Sequence, residues 1–318
     1  MSVSATRSLV RLSDAYRRLL TVFVGIIGPR AAYACLGALA RRVYRLFDPL
    51  RLLCEAQCQA ALGATRTTRE ITDIAKQSFV HRAWNLADLM LADRLIRRGT
   101  YQNYGGRIPE PYRSMLWNAR RNRQPVILLT AYYGPYDLLP LFLGYNGIRA
   151  GAVYRRHANP SFDAYRQAIR ARSGCEMIPD TEAVMRLPQI MAAGGSVAIL
   201  ADHHATRRGI PVTLLGQKTN VSRSVGLLAT HYETVVVVAG IRRLNDAFNF
   251  EIVIADLFEP SAWKAADDPV RAVTERYIRG LEQIIRADPR QYLWAHALWG
   301  AEQADRLTGA AHSPDVSA

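Results

Sequence analysis

The sequence predicts an α/β protein: a mixed, largely parallel central sheet flanked by helices, preceded by an N-terminal membrane-associated helix. Two observations carry the sheet. From Pro125 to Ala287, short β-rich runs alternate with helical ones, and no glycine-rich dinucleotide fingerprint, P-loop or internal repeat interrupts the order. The chain of 318 residues is also 49% hydrophobic, enough for one large core. A third observation carries the anchor: from Leu19 to Ala40 the only charge is Arg30.

The N-terminal run reaches the roughly 20 apolar residues a spanning helix needs only by tolerating Pro29 and Arg30 in its middle. Arg7, Arg11, Arg17 and Arg18 precede it and Arg41, Arg42 and Arg45 follow, which suits an amphipathic or re-entrant anchor whose arginines reach anionic lipid headgroups. A buried helical hairpin broken at Pro29 is the other reading. The helical pattern continues past Ala40, so a cleaved secretory signal is not expected.

Thr68 to Arg98 spaces its apolar residues by three and four without Pro or Gly, which predicts a long helix containing His81. A short helix follows, ending before Pro125. Next come the strand "PVILLTA", the helical "DLLPLFLGYNG", the strand "IRAGAVYR", a helix from Ser161, the strand "CEMIP", a helix from Thr181 and the strand "SVAILAD". "GIPVTLLG", a helix at "SRSVGLLATHYE", "TVVVVAGIRR", "NFEIVIADLFEP" and a helix from Asp268 to Ala287 complete the pattern. The expected organisation is an anchoring segment over 1–50, one α/β domain over 51–308 and a disordered tail over 309–318.

A formal net charge of +14 and a pI near 10.0 imply an anionic partner. All basic residues except Lys76, Lys218 and Lys264 are arginine, which suits phosphate binding but also follows from arginine-favouring codons. The arginines are scattered over every segment and aromatic residues are not interleaved with them, so nucleic acid is not an expected partner. Cys35, Cys54, Cys58 and Cys175 are too few for a disulfide framework, and "CEAQC" has no second ligand pair to complete a metal site. No metal or redox cofactor is expected.

In sheets of this kind sites gather at the carboxyl ends of strands. Those ends carry Tyr132 to Asp137, Arg155 to His157, and Asp202 to His204. "LLTAYYGPYDLLP" has a strand feeding a turn at Gly134 and Pro135, with Asp137 five positions after Tyr132: the spacing of a base and its orienting carboxylate, with tyrosine where the base belongs.

The order and content of these segments resemble the lysophospholipid acyltransferase superfamily, in particular its branch of bacterial lipid A biosynthesis late acyltransferases. The likeness runs roughly from Tyr16 to Trp299. It rests on "VILLTAYYGPYDLL" at the family's His-x4-Asp/Glu block, on Val153, Tyr154, Arg155, Asn159 and Pro160, on Asp202 and His203, and on Trp294 and His296. The resemblance implies acyl transfer from a thioester, carried by acyl carrier protein or coenzyme A, to a hydroxyl of a glycolipid or phospholipid, at the cytoplasmic face of a bacterial inner membrane. In such enzymes a histidine takes the proton of the attacking hydroxyl and returns it to the leaving thiolate.

Here Tyr132 replaces that histidine, and none of the seven histidines has Asp or Glu five residues on. Tyrosine, with a reference pKa near 10, is a donor at neutral pH. The expected assignments are therefore His203 as substitute base, with His157 second, Asp137 orienting it, and Tyr132 donating a hydrogen bond to substrate. Arg155 and Arg208 are expected to bind phosphate, with Gly134 and Asp202 beside the substrate. The alternative is a protein that keeps the fold, binds lipid or acyl carrier protein, and catalyses nothing.

Overall fold

A computed structural model describes residues 3–205 and 209–309, with side chains from residue 21 onward. The expectations on Arg7, Arg11, Arg17 and Arg18, on Arg208, and on the tail beyond 309 lie outside the described residues and side chains.

Helix α1 (Val3–Leu46) is broken at Gly28, whose φ of 75° and ψ of 171° no helix contains. Gly28 supplies a backbone angle other residues resist, and Pro29 starts the second limb, where its missing N–H costs nothing. Around and beyond the break, Val24, Ala32, Tyr33, Ala40 and Tyr44 are buried. Val22, Phe23, Ile26, Leu39, Leu46 and Phe47 remain exposed. Thr21–Leu46, of mean hydropathy 1.6, is long and apolar enough to cross a membrane by length and composition.

Helix α2 (Asp48–Leu62) and the long α3 (Thr68–Leu95) follow, the latter opened by a capping box in which Thr67 and Glu70 satisfy each other's backbone N–H groups. α1 packs along α3. Tyr33 of α1, Asp88 of α3 and Arg243 meet in the core: the Tyr33 hydroxyl donates to Asp88, and Arg243 pairs with both Asp88 oxygens, one at 3.0 Å. The guanidinium also lies over the rings of Tyr33, Trp84 and Phe250.

After α4 (Tyr112–Arg121) come β1 (Val126–Thr130), α5 (Leu139–Tyr145), β2 (Ala150–Tyr154), α6 (Pro160–Ala171), β3 (Glu176–Pro179), α7 (Asp180–Ala192) and β4 (Ser196–Leu200). β5 (Ile210–Leu214), β6 (Gln217–Val221), α8 (Ser224–His231), β7 (Val235–Arg243), β8 (Phe250–Phe258), α9 (Pro269–Ala287) and α10 (Ala301–Thr308) complete the described chain. The main sheet has the order β3-β2-β4-β1-β7-β8. Strands β3 to β7 in that order pair in parallel, and only β8 runs antiparallel, against β7. β1 is therefore central and buried along its whole length, as an apolar strand covered on both faces must be. The mixed, largely parallel sheet flanked by helices is the fold the sequence predicts.

Two elements escape the sequence reading. β6 pairs with β5 as a separate ribbon, joined by Leu215 and Gly216, both at positive φ; primed hairpin turns demand that, but leucine at such an angle gives no signal in the sequence. α10 packs on α2, beyond the last helix anticipated.

Candidate active site

The carboxyl ends of β1, β2 and β4 converge, because β4 lies between β2 and β1 in the sheet. Tyr132 follows β1, Arg155 follows β2, and Asp202 and His203 follow β4. Beside them the segment Tyr292–His296 is laid against the chain leaving β1: Leu293 N–H donates to Tyr132 O at 2.9 Å, and Gly134 N–H to Gln291 O at 2.9 Å. Three sequence-distant stretches thus enclose one ring of tyrosines and histidines.

Tyr132 is at its centre. Its ring lies 4.9 Å from that of Tyr136 and 5.0 Å from those of His203 and His296. Its hydroxyl is 3.1 Å from His203 Nε2, and His203 Nδ1 is 3.3 Å from Leu200 O. A carbonyl oxygen only accepts, so Nδ1 carries the proton and Nε2 accepts from the Tyr132 hydroxyl. Burial, with Asp202 nearby, pushes the Tyr132 hydroxyl up to about 12, so it stays protonated.

Asp202 is fully buried; one carboxylate oxygen accepts from Tyr132 N–H and from the Tyr292 hydroxyl, each at 2.9 Å. The other has no hydrogen-bond partner and sits 3.8 Å from His203 Nδ1. Asp202 therefore fixes Tyr132 and faces His203. It was expected beside the substrate, and its burial instead makes it a positioning group.

Asp137 was expected to orient the base; its carboxylate instead pairs with Arg170 and, at 3.2 Å, with Arg166, both from α6. Gly134 was expected at the substrate as well; it serves the turn instead. At φ 55° a Cβ would lie 1.9 Å from Ile241 O, its N–H is spent on Gln291, and its carbonyl accepts from Asn85 Nδ2 at 2.7 Å. His157 lies at the site, but its Nδ1 already accepts from Asn159 N–H at 3.0 Å, leaving Nε2 as the protonated nitrogen.

Two cavities meet at Tyr132. One, of about 420 Å³, is lined by Arg82, Arg155, Arg156, Arg166 and Arg170, with Asp137 as the only acidic residue on its wall among the described residues. The other, of about 440 Å³, is walled by Leu187, Ile199, Val225, Leu228 and Tyr277, and His203 faces it. Arg155 lines both, half exposed and 3.7 Å from Asp180. Among the described residues no group of three His, Cys, Asp or Glu is placed to hold a metal ion.

His296, which the sequence reading noted only as part of the closing resemblance, lines the arginine-walled cleft. Its segment is clamped from behind. Gln57, fully buried on α2, donates to Trp294 O and His296 O at 2.7 Å and accepts from Leu298 N–H at 2.9 Å. Ser78 on α3 donates to Tyr292 O at 2.5 Å. Replacing Gln57 by leucine orphans three buried backbone groups, and is expected to lower unfolding stability by about 2–3 kcal/mol. Urea unfolding of Gln57→Leu measures it, and a loss below about 1 kcal/mol would refute the clamp.

The search of curated proteins returned no match. A sequence profile of the bacterial lipid A biosynthesis acyltransferases matches residues 23–300, a span that includes the second limb of α1, the whole sheet, Tyr132, Asp202, His203 and the clamped His296 segment. The chain belongs to the bacterial lipid A biosynthesis acyltransferase family.

Proposed function

We propose that the protein transfers a fatty acyl group from a thioester, carried by acyl carrier protein or coenzyme A, to a hydroxyl of a phosphorylated glycolipid or a lysophospholipid. The observation that carries the reading is the position of Tyr132 at the join of an apolar groove and an arginine-walled cleft. The groove suits an acyl chain, which needs apolar walls and no polar partner. The cleft suits a phosphorylated headgroup, which arginine grips bidentately. The reacting carbonyl and hydroxyl then meet beside Tyr132.

Residues 1–50 serve as the anchor in this reading. The exposed apolar residues of α1 sit in the lipid phase and Arg41, Arg42 and Arg45 meet anionic headgroups at the cytoplasmic face of an inner membrane. Residues 51–308 carry the site, within reach of lipid acceptors.

Both nitrogens of His203 are engaged inside the protein, so His203 acts on substrate through Tyr132. With its proton committed to His203, the Tyr132 oxygen keeps lone pairs for a substrate hydroxyl. Tyr132→Phe and His203→Ala are each expected to reduce kcat/KM about tenfold, the worth of one hydrogen bond. The double variant is expected to lose no more than either single change, because the two act as one unit. Fully multiplicative losses would refute the coupling.

Detergent-purified protein, offered labelled acyl-carrier-protein and coenzyme A thioesters with a total lipid extract, tests the activity itself. Turnover into acylated lipid is the expected result. Silence from the native protein, with activity from Tyr132→His, would instead mark a binding protein that has lost its base.

A further inference from the structure

Three histidines, His157, His203 and His296, border Tyr132 or the arginine-walled cleft, and their hydrogen bonds differ in one respect that chemistry notices. A neutral imidazole has a single lone-pair nitrogen, and only that nitrogen can take a proton. In His157 it is Nδ1, already holding the N–H of Asn159. In His203 it is Nε2, already holding the hydroxyl of Tyr132.

In His296 the lone pair is unclaimed. Nδ1 lies 2.5 Å from Leu293 O, so it carries the proton and Nε2 carries the lone pair. Nε2 is buried and has no hydrogen-bond partner, although the residue lines the cleft. An unpartnered buried acceptor is costly, and a catalytic role is among the few things that account for one. The Gln57 and Ser78 clamps and the Leu293 carbonyl fix the ring's place and tautomer, and the Tyr132 ring packs edge-on against it with centroids 5.0 Å apart.

We propose that His296, not His203, is the general base of this acyltransferase, its Nε2 taking the proton of the acceptor hydroxyl from the arginine-walled side of Tyr132. The assignment rests on the acyl-transfer reading. The acceptor O–H bond breaks and its proton passes to Nε2 as the oxygen bonds to the acyl carbon. The carbon–sulfur bond then breaks with its electron pair going to sulfur, and Nε2–H returns the proton to the thiolate. Nothing is oxidised and no further reactant is consumed. The family's base has in effect moved from the strand end at position 132 to the segment that packs across it.

The surroundings suit the task. Burial lowers the imidazole's proton affinity, and Arg82 and His203 act in the same direction, while Asp202 and the Leu293 carbonyl oppose them. The tyrosines packed on the ring, Tyr132 and Tyr292, stay neutral because burial raises their hydroxyls. His296 is therefore unprotonated at neutral pH, as a base must be, and Asp202 compensates the imidazolium that forms in the reaction.

The test compares native protein, His296→Ala, His296→Gln and His203→Ala in the thioester assay, with and without added imidazole, across pH 5 to 8. The assignment expects His296→Ala to lose about 100-fold or more in kcat/KM, with free imidazole restoring part of it through the vacated space. Native activity should fall with acid at an apparent pKa below the ordinary histidine value of about 6.5. His203→Ala should keep the acid limb. If His296→Ala does not fold, His296→Gln, which fills the site without an imidazole, takes its place and is expected to be equally inactive. Activity within about threefold of native in either variant overturns the assignment while leaving acyl transfer standing, since general-base loss costs at least about 100-fold. An acid limb abolished by His203→Ala overturns it in favour of His203. Silence of the native protein on every thioester removes the acyl-transfer reading, and this assignment with it.

Discussion

Asp88→Ala is expected to lower the unfolding free energy by about 3–5 kcal/mol, the usual cost of stranding one member of a buried ion pair. Asp88 and Arg243 are each about 1% exposed, so no water can replace the lost carboxylate. Burial works against the Arg243 charge, and the carboxylate of Asp88 with the Tyr33 hydroxyl outweighs it, holding the guanidinium as a cation. Deleting Asp88 removes that compensation and leaves the Tyr33 hydroxyl without its acceptor as well. The loss also has a direction: Tyr33 belongs to α1, Asp88 to α3 and Arg243 to β7, so the cluster joins the second limb of α1 to α3 and the sheet. Hydrogen exchange of Asp88→Ala should show α1 opening ahead of the sheet. Guanidinium unfolding that differed from native by less than about 1 kcal/mol would mean the pair is not ionised in the native state. Tyr33→Phe, which keeps the pair, is expected to cost only about 1 kcal/mol.

The sequence made this ion pair invisible for a plain reason: Asp88 and Arg243 lie in different elements, 155 residues apart, and neither breaks the local pattern around it. The sheet, by contrast, was legible, because "PVILLTA", "SVAILAD" and "TVVVVAGIRR" each announce a buried strand without reference to any partner. The site was legible in its location and less so in its wiring. Strand ends placed Tyr132, Arg155 and His203 together, since the sheet order does that for any chain of this fold. Spacing along the chain could not show that Asp137 turns to α6, because the arginines that claim it arrive only when α6 packs. Nor could it show that Nε2 of His203 is occupied and that of His296 is unpartnered. A signal for His296 did exist in "YLWAHALWG", whose buried aromatics mark a segment folded into the core, but which nitrogen is left without a partner is a matter of tertiary hydrogen bonds.

Asp137→Asn separates the role the sequence suggests for this residue from the one its contacts describe. Asp137 is buried and, among the described residues, is the only acidic one on a cleft wall that carries Arg82, Arg155, Arg156, Arg166 and Arg170. Burial lowers Arg170 to about 10, which still leaves it charged at neutral pH, and its Nε has no partner. Removing the carboxylate's charge therefore leaves two adjacent cations facing each other. The expected cost is about 3–5 kcal/mol of stability in salt-free buffer. Inorganic phosphate should recover part of it, raising the Tm of Asp137→Asn more than that of the native protein, because an anion bound in the cleft beside Arg166 and Arg170 offsets the charge the amide no longer supplies. The kinetic consequence follows from the same geometry. If Asp137 holds the arginines, the variant changes KM for the phosphorylated acceptor and leaves the acid limb of kcat/KM where it was. If Asp137 orients a base, the limb itself moves and phosphate does nothing for Tm. The salt contacts to Arg166 and Arg170, and the lack of any contact between Asp137 and a histidine among those described, predict the first outcome.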